Sequence, residues 1–583
     1  MDNTQLLPLH SPKNLEVVYP PMSSSKPTET TEPRAKGVAR LTVHIPSAFR
    51  GTSKRPASIS PSRWGTLEFK FYYVVALVAV PLMGWIPVSL SQTSHPNYPM
   101  YARRLSEGWL HGRMVDNSDA QYRSFRSNLG LLSLAAFGYL IINYIRWILS
   151  TSSFANNLYL IPTNVVISLA VVVALHGASS LKVFFIITIN FLIATKCRSS
   201  KLGPLLTWVF NGLVLFLNEK YHGYFFGSLS QSLEFLDDLS GVYPRWHVIF
   251  NITMLRLISF NMDYYWACKS PETADLTPTT LNEKQRTSLP HSDEFYSLVN
   301  YVAYILYPPL YIAGPIITFN DFMWQHRKPL SMRTRDNVMY LVRFIFCYLV
   351  MEYILHFMYV VAIKDRKAWL WDSPAEIAMI GFWNLIIVWL KLLIPWRFFR
   401  AWALLDGIDP PENMVRCMAN NYSAFGFWRS WHRSYNLWII RYIYIPLGGT
   451  KNVFLNTLLI FSFVALWHDL TFKLLAWGWL ISLFVVPELL ASYVLPVSKY
   501  GKQPWYRHVC AVGGVLNILM MMAANLVGFV VGVDGVRFFF SQLFGTWEGL
   551  KFMVVCSCCL FVGVQLMFEY REEELRQGIV RRC

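Results

Sequence analysis

The chain has 583 residues, 54% apolar and only 15% charged, with a positive mean hydropathy. Soluble proteins usually carry about 25% charged residues, so lipid rather than water is the expected solvent. The net charge of +17 would suit a nucleic-acid binder only if Lys and Arg gathered on a soluble face; here they flank apolar runs. That distribution fits anionic headgroups and cytoplasmic loops and speaks against nucleic acid as a partner.

Residues 1–63, rich in Ser, Pro, Thr and Lys, lack sustained apolar periodicity and are predicted to form a disordered basic tail. The tail has no early apolar core with a small-residue cleavage site, so it does not read as a signal peptide. Between Arg34 and Arg63 every charged residue is basic, which favours a cytosolic N-terminus, although Lys70, Arg103 and Arg104 compete on the other side of the first span. Residues 64–570 read as one membrane domain and 571–583 as a short charged tail.

About 20 apolar residues span a bilayer as a helix, because a helix satisfies its own backbone polar groups. Such spans are predicted at 69–91, 129–150, 154–176, 183–195, 203–218, 246–266, 296–319, 338–363, 376–396, 453–468, 471–495, 508–532 and 550–569. Segments 183–195 and 453–468 are short enough to be re-entrant or to join a neighbour, so an all-α fold with about ten to thirteen spanning helices is expected. A transmembrane β-barrel is excluded, since runs such as Leu474–Val486 do not alternate.

A polar loop lies between Ala267 and Phe295, and the sequence YPPLYIAGP follows from Tyr307 to Pro315. Its three prolines break a helix. Non-helical backbone at membrane depth survives only inside protein or around a water-filled cavity, so this segment either lines a chamber or kinks a helix at the interface. The sequons at Asn251 and Asn421 lie in or beside apolar runs, where glycosylation is not expected. The nine cysteines follow no disulfide or zinc spacing.

His468 and Asp469 interrupt the apolar run Phe461–Trp479. An ionisable residue at that depth is a functional hypothesis by default, against the blander reading of a hydrogen-bonded core histidine. His176 and His356 are competitors and read as structural; His356 follows Glu352 by one helical turn and could pair with it. Upstream, Phe427–Gly449 interleaves Arg429, His432, Arg433 and Arg441 with Trp428, Trp431, Trp438, Tyr442 and Tyr444. That composition is predicted to be an interfacial helix whose guanidiniums could hold phosphate.

The pair Trp431-His432, the run Arg441–Gly449 (RYIYIPLGG) and the later Leu466-Trp467-His468 together resemble the signature of the membrane-bound O-acyltransferase family. Tyr307–Phe319 is similar to that family's Gly-Pro region. The segment Trp64–Phe125 resembles the fungal Gup branch, named for glycerol uptake and related to hedgehog acyltransferase. The resemblance implies a ring of tilted helices around a chamber, with acyl-CoA entering from the cytosol and the acceptor from the other side.

It also implies roles. His468 would be the general base, a task suited to a side chain with a reference pKa of about 6.5, and His432 the second functional residue. Arg397, Arg400, Arg416, Arg429, Arg433, Trp431 and Asn436 are candidate substrate-binding residues, each arginine being equally readable as a snorkelling anchor. Hedgehog acyltransferase has Asp where this chain has His432, which favours a hydroxyl over an amine acceptor. The Gup branch implies acyl transfer to the sn-2 hydroxyl of lyso-glycosylphosphatidylinositol (lyso-GPI) anchors in the endoplasmic reticulum membrane, with the plasma membrane as the other location. Cys417 resembles the haem b ligand of hedgehog acyltransferase, against the reading of a buried thiol or palmitoylation site. A glycerol transporter and a non-catalytic lipid-binding protein of the same fold are the rival readings; neither accounts for the paired histidines.

Overall fold

A computed structural model describes residues 60–110, 112–150, 156–269 and 281–579. The expected tail up to residue 59 and part of the polar loop, 270–280, lie outside the described residues, as does Cys583. Among the described residues, nine helical segments are long and apolar enough to cross a membrane. They are Leu67–Leu90, Ala120–Leu149, Leu158–Cys197, Leu202–Tyr221, Thr334–Phe357, Pro374–Leu405, Leu474–Val494, Tyr506–Val530 and Trp547–Arg576. The expected spans 154–176 and 183–195 meet at Gly177 within Leu158–Cys197, and Val453–His468 is a shorter apolar helix. The fold is an all-α polytopic membrane protein, with one small antiparallel hairpin pairing Leu105–Glu107 with Met114–Asp116.

Large apolar side chains lie on the outside, among them Leu77, Phe137, Phe185, Leu205 and Val554. In water such a surface would be unfavourable; facing acyl chains it is what the helices require. Two helices are buried instead. Trp246–Lys269 is enclosed along most of its length although it carries Arg256 and Asp263, and the second half of Pro374–Leu405, from Trp396 to Leu404, is likewise interior.

The expected span 296–319 is not a helix. Leu298–Ile305 stops, Pro308–Tyr311 makes a single turn, and the chain then runs irregularly to the helix Phe319–Arg327. This segment is packed in protein rather than kinked at an interface, and its freed backbone groups find partners. The Arg256 guanidinium donates to the carbonyls of Ile305 (3.1 Å) and Leu310, and Tyr304 Oη donates to Ile317 O at 2.7 Å. Ser434 Oγ accepts from Ile316 N at 2.9 Å, and Ser259 Oγ accepts from Phe319 N at 3.2 Å. Each bond removes a buried unpaired group that would cost about 1–3 kcal/mol.

The domain edges also differ from expectation. Trp547–Arg576 continues as helix through residues 571–576, assigned by sequence to a tail. Arg576 there donates to Ser60 O and Pro61 O, and Arg63 N donates to Glu569, so residues 60–63 join the folded unit.

Candidate functional site

The stretch around His432 is two short helices rather than one interfacial helix. Ala424–Ser430 ends before His432, where the backbone turns left-handed (φ 44°), and Arg433–Ile439 begins immediately after. The buried Asn413 holds that turn from the far side: its carbonyl accepts from Arg433 N and its side-chain oxygen from Ser434 N, both at 3.1 Å. Glu488 fixes the start of the first helix by accepting from Ser423 Oγ and from Ala424 N. Neither Asn413 nor Glu488 announces itself in sequence, because each acts on a residue brought close only by the fold.

The turn lays the His432 ring against Trp396, with centroids 4.4 Å apart and planes 25° from parallel. Tyr435 stands at 5.2 Å and Trp467 at 6.4 Å from the same ring. His468 is the last residue of Val453–His468, and its imidazole contacts Trp467 (4.8 Å), Trp477 (6.4 Å) and Phe529 (6.3 Å). Trp467 thus lies between the two histidines, which are near enough to interact electrostatically. Although aromatic rings flank it, His468 keeps accessible surface, and among the described residues neither of its ring nitrogens has a hydrogen-bond partner. A neutral imidazole in that state has a free lone pair to take a proton.

Two contacts set the helix tip that carries His468. Asn251 Nδ2 donates to Trp467 O at 3.2 Å while Trp467 Nε1 donates to Asn251 O at 2.9 Å, a reciprocal clamp across 216 residues of sequence. The sequon asparagine is therefore a packing residue in mid-helix. Opposite, Gly528 lies so close to Trp477 that an added Cβ would meet the indole at 2.7 Å. Gly528 belongs to a π-helical turn, Leu526–Val530, that also presents Phe529 to His468.

The candidate arginines separate into two groups. Arg400 binds Asp409 (2.6 Å) and Pro410 O (2.8 Å), Arg416 makes a two-pronged bond to Glu574 (3.1 and 2.7 Å), and Arg433 pairs with Glu283 (3.3 Å). Arg429 lies near Glu488. Arg441, expected at headgroup depth, reaches inward to the fully buried Asp263 at 2.8 Å, which Tyr442 Oη also donates to at 3.0 Å. Arg397 donates to Cys347 Sγ at 3.0 Å and lies within electrostatic reach of Glu412 without an ion pair to it, and its buried Nε has no partner among the described residues. Arg343, missed in the sequence, lies within electrostatic reach of Arg397 and Arg400. Trp431 stacks on Phe427 at 5.3 Å and bridges to Met414, and Asn436 lies half-buried one turn after His432.

His176 is satisfied by Tyr243 O (2.9 Å) and Tyr311 Oη (3.0 Å), as its structural reading requires. The expected side-chain pair of Glu352 with His356 does not form. The Glu352 carboxylate is taken by Arg126, Trp109 and Tyr122, and His356 Nδ1 meets the Glu352 backbone carbonyl at 2.7 Å. Cys417 sits in the loop before Ala424, near Cys347 and Arg397, and its carbonyl accepts from Asn421 Nδ2. The cavity beside it, lined by Met418, Asn421 and Tyr422, holds about 50 Å³, against roughly 300–1,000 Å³ for ordinary small-molecule sites. Cys417 itself is not among the residues that line this cavity.

Nine helices long and apolar enough to cross a membrane, among the described residues, make this a multi-pass membrane protein. The chain belongs to the membrane-bound O-acyltransferase family, whose model matches residues 206–533. It is 47% identical to the membrane-bound O-acyltransferase GUP1 of Saccharomyces cerevisiae, over 92% of this chain and 97% of that protein, and 39% identical to GUP2 of the same yeast, over 90% of each. A more distant relative is the protein-cysteine N-palmitoyltransferase HHAT of Mus musculus, 27% identical over 56% of this chain and 68% of that protein. The protein is an acyltransferase.

Proposed function

We propose that this acyltransferase moves a long acyl chain from acyl-CoA to the sn-2 hydroxyl of lyso-GPI anchors, in the endoplasmic reticulum membrane. One observation carries the catalytic part: the His468 imidazole is accessible and, among the described residues, without a hydrogen-bond partner, beside a second histidine in an aromatic wall. The acceptor oxygen attacks the thioester carbon as His468 takes the hydroxyl proton. The tetrahedral adduct then collapses, the C–S bond breaks, and the coenzyme A thiolate recovers the proton from the imidazolium. Such general-base help typically contributes about 10²–10⁴-fold.

His432 orients the acceptor or stabilises charge in the adduct. A hydroxyl acceptor is supported by histidine at this position, where the amine-acylating hedgehog enzyme has aspartate. Among the candidate arginines we favour Arg397 for the coenzyme A phosphates: Arg400, Arg416 and Arg433 are ion-paired with carboxylates, whereas Glu412 is only within electrostatic reach of Arg397, and bidentate pairs with phosphate are the strong ones.

The test is incubation of the purified protein with labelled long-chain acyl-CoA and, in parallel, a lyso-GPI-anchored protein, a free lysophospholipid and glycerol. The expected result is label on the lyso-GPI anchor, lost in His468→Gln. Label on another acceptor overturns the substrate. Glycerol flux through proteoliposomes with no acyl transfer overturns the enzymatic reading in favour of transport.

A further inference from the structure

Away from the aromatic wall, the loop between Tyr221 and Trp246 closes over the turn at Gly177–Ser179 and encloses a second cavity of about 190 Å³. At about 30 Å³ per water it holds roughly six waters. Its lining is strongly basic: Lys182, Arg245, His222 and His247, with Asp237 as its acidic member and His176 at one wall. Asp237, held as a carboxylate by bonds from Phe226 N (2.9 Å) and Gly227 N (2.8 Å), lies within electrostatic reach of Lys182 and offsets one of those charges. His176 has both nitrogens engaged.

The remaining groups have donors to spare. Lys182 is buried, gives one firm hydrogen bond, to Tyr224 O at 2.7 Å, and lies 4.2 Å from the Phe226 ring centroid. Among the described residues no carboxylate lies within ion-pair distance of its ammonium, which can donate three bonds. Arg245, His222 and His247 have no hydrogen-bond partner among the described residues, and Arg245 and His222 are exposed at the rim. With Asp237 as the one acidic lining residue against Lys182 and Arg245, the cavity keeps an excess of positive charge that an anion would offset. A phosphodiester offers anionic oxygens that an ammonium and a guanidinium both bind well.

The cavity is at the same end of the molecule as His468. His222 is in electrostatic contact with Glu219, which in turn contacts Asp469, the residue after His468. His247 lies one turn before Asn251, which holds the carbonyl of Trp467.

We propose that this basic cavity binds the phosphodiester of the acceptor lipid, anchoring the headgroup while the hydroxyl to be acylated reaches His468. The proposal rests on His468 being the acyl-transfer centre, and it names the acceptor class as an anionic lysophospholipid rather than a neutral glyceride. It gives Lys182 and Arg245 a part in acceptor choice and none in the chemistry.

Binding separates this proposal from the catalytic reading. Purified protein in maltoside micelles is titrated with lysophosphatidylinositol and with monoacylglycerol, in wild type, Arg245→Gln, Lys182→Met and His468→Gln. The expected result is that Arg245→Gln and Lys182→Met each weaken lysophosphatidylinositol binding about tenfold and leave monoacylglycerol binding unchanged, while His468→Gln binds both normally. Arg245 is exposed, so its variant remains informative if Lys182→Met fails to fold. Equal loss for both ligands, or no loss for either, overturns the proposal. So does competition by inorganic phosphate as strong as that by the lysolipid, which would mark a free-phosphate site, or equal binding of diacyl phosphatidylinositol, which would mark a bulk-lipid site. Normal lysophosphatidylinositol selectivity together with full activity of His468→Gln would retain the cavity and remove the catalytic reading.

Discussion

Two regions of the membrane domain carry polar groups and treat them in opposite ways. Around the broken segment Leu298–Phe319 several freed backbone groups and the nearby charges find partners: Arg256 donates to two carbonyls, and Asp263 is met by Arg441, Tyr442 and Asn320 N. At the end of Val453–His468 the ionisable group has no hydrogen-bond partner among the described residues and keeps accessible surface. Burial of a polar group is costly unless it is paired; the first region answers that cost with partners, while the second leaves His468 its accessible surface and a free lone pair. A mutation should therefore damage stability in the first region and turnover in the second.

The largest effect is expected at His468. His468→Gln should lower acyl transfer by about 10²–10⁴-fold, with the detergent-extracted protein eluting as wild type in fluorescence-detected size exclusion. Glutamine can still hydrogen-bond but is no base near neutral pH. Full activity in a well-expressed variant would remove the contrast between the two regions.

The opposite outcome is expected at Arg441. Arg441→Met leaves Asp263 buried with one fewer cationic partner, a class of change that costs about 3–5 kcal/mol. Abundance and thermal stability should fall sharply, and the molecules that fold should turn over at near the normal rate. A stable Arg441→Met protein with slow turnover would move Arg441 into the reaction.

Much of this was legible in the sequence for a physical reason. Lipid imposes continuous apolar runs, so most spans can be read from composition, and an ionisable residue inside such a run stands out, as His468 does. Three prolines within nine residues announced a break, but not that Arg256 and Ser434 would repair it. Partnerships were illegible because they join distant positions: Arg416 with Glu574 across 158 residues, Arg441 with Asp263 across 178, Asn251 with Trp467 across 216. For the same reason the arginines read as headgroup ligands until their carboxylates were found. The left-handed turn at His432 was hidden too, because His rarely adopts it without support such as Asn413 gives.

Between the two extremes stands Asn251, which is paired but serves the unpaired site. Asn251→Ala removes the bond to Trp467 O and leaves the backbone bond from Trp467 Nε1. The loss of one such bond is worth about 1 kcal/mol, so turnover should fall about fivefold with little change in KM, and Asn251→Asp, which cannot donate, should match it. Asn251→Gln should restore part of the rate if it can reach the carbonyl. A change in abundance with unaltered kcat would return Asn251 to the architectural group.

The smallest expected effect lies outside the membrane and tests whether an unpaired polar atom must always serve chemistry. Asp372 precedes the helix Pro374–Leu405; one carboxylate oxygen accepts from Asn97 Nδ2 at 2.9 Å and the other is buried without a partner. Burial, with the Glu376 charge adding to it and the Asn97 bond opposing, pushes its pKa up to about 7. The unfolded value is about 3.9, so the folded state holds the proton more tightly. Its contribution to stability is full below pH 4 and declines as pH rises towards 7. Asp372 is only half-buried, and solvent screening reduces the effect to about 1 kcal/mol. Asp372→Asn removes the charge and keeps the acceptor for Asn97, so it should raise the melting temperature by about one degree at pH 8, leave it almost unchanged at pH 4, and alter acyl transfer at neither. Loss of turnover in that variant would mean that a missing hydrogen-bond partner, by itself, points to function even this far from His468.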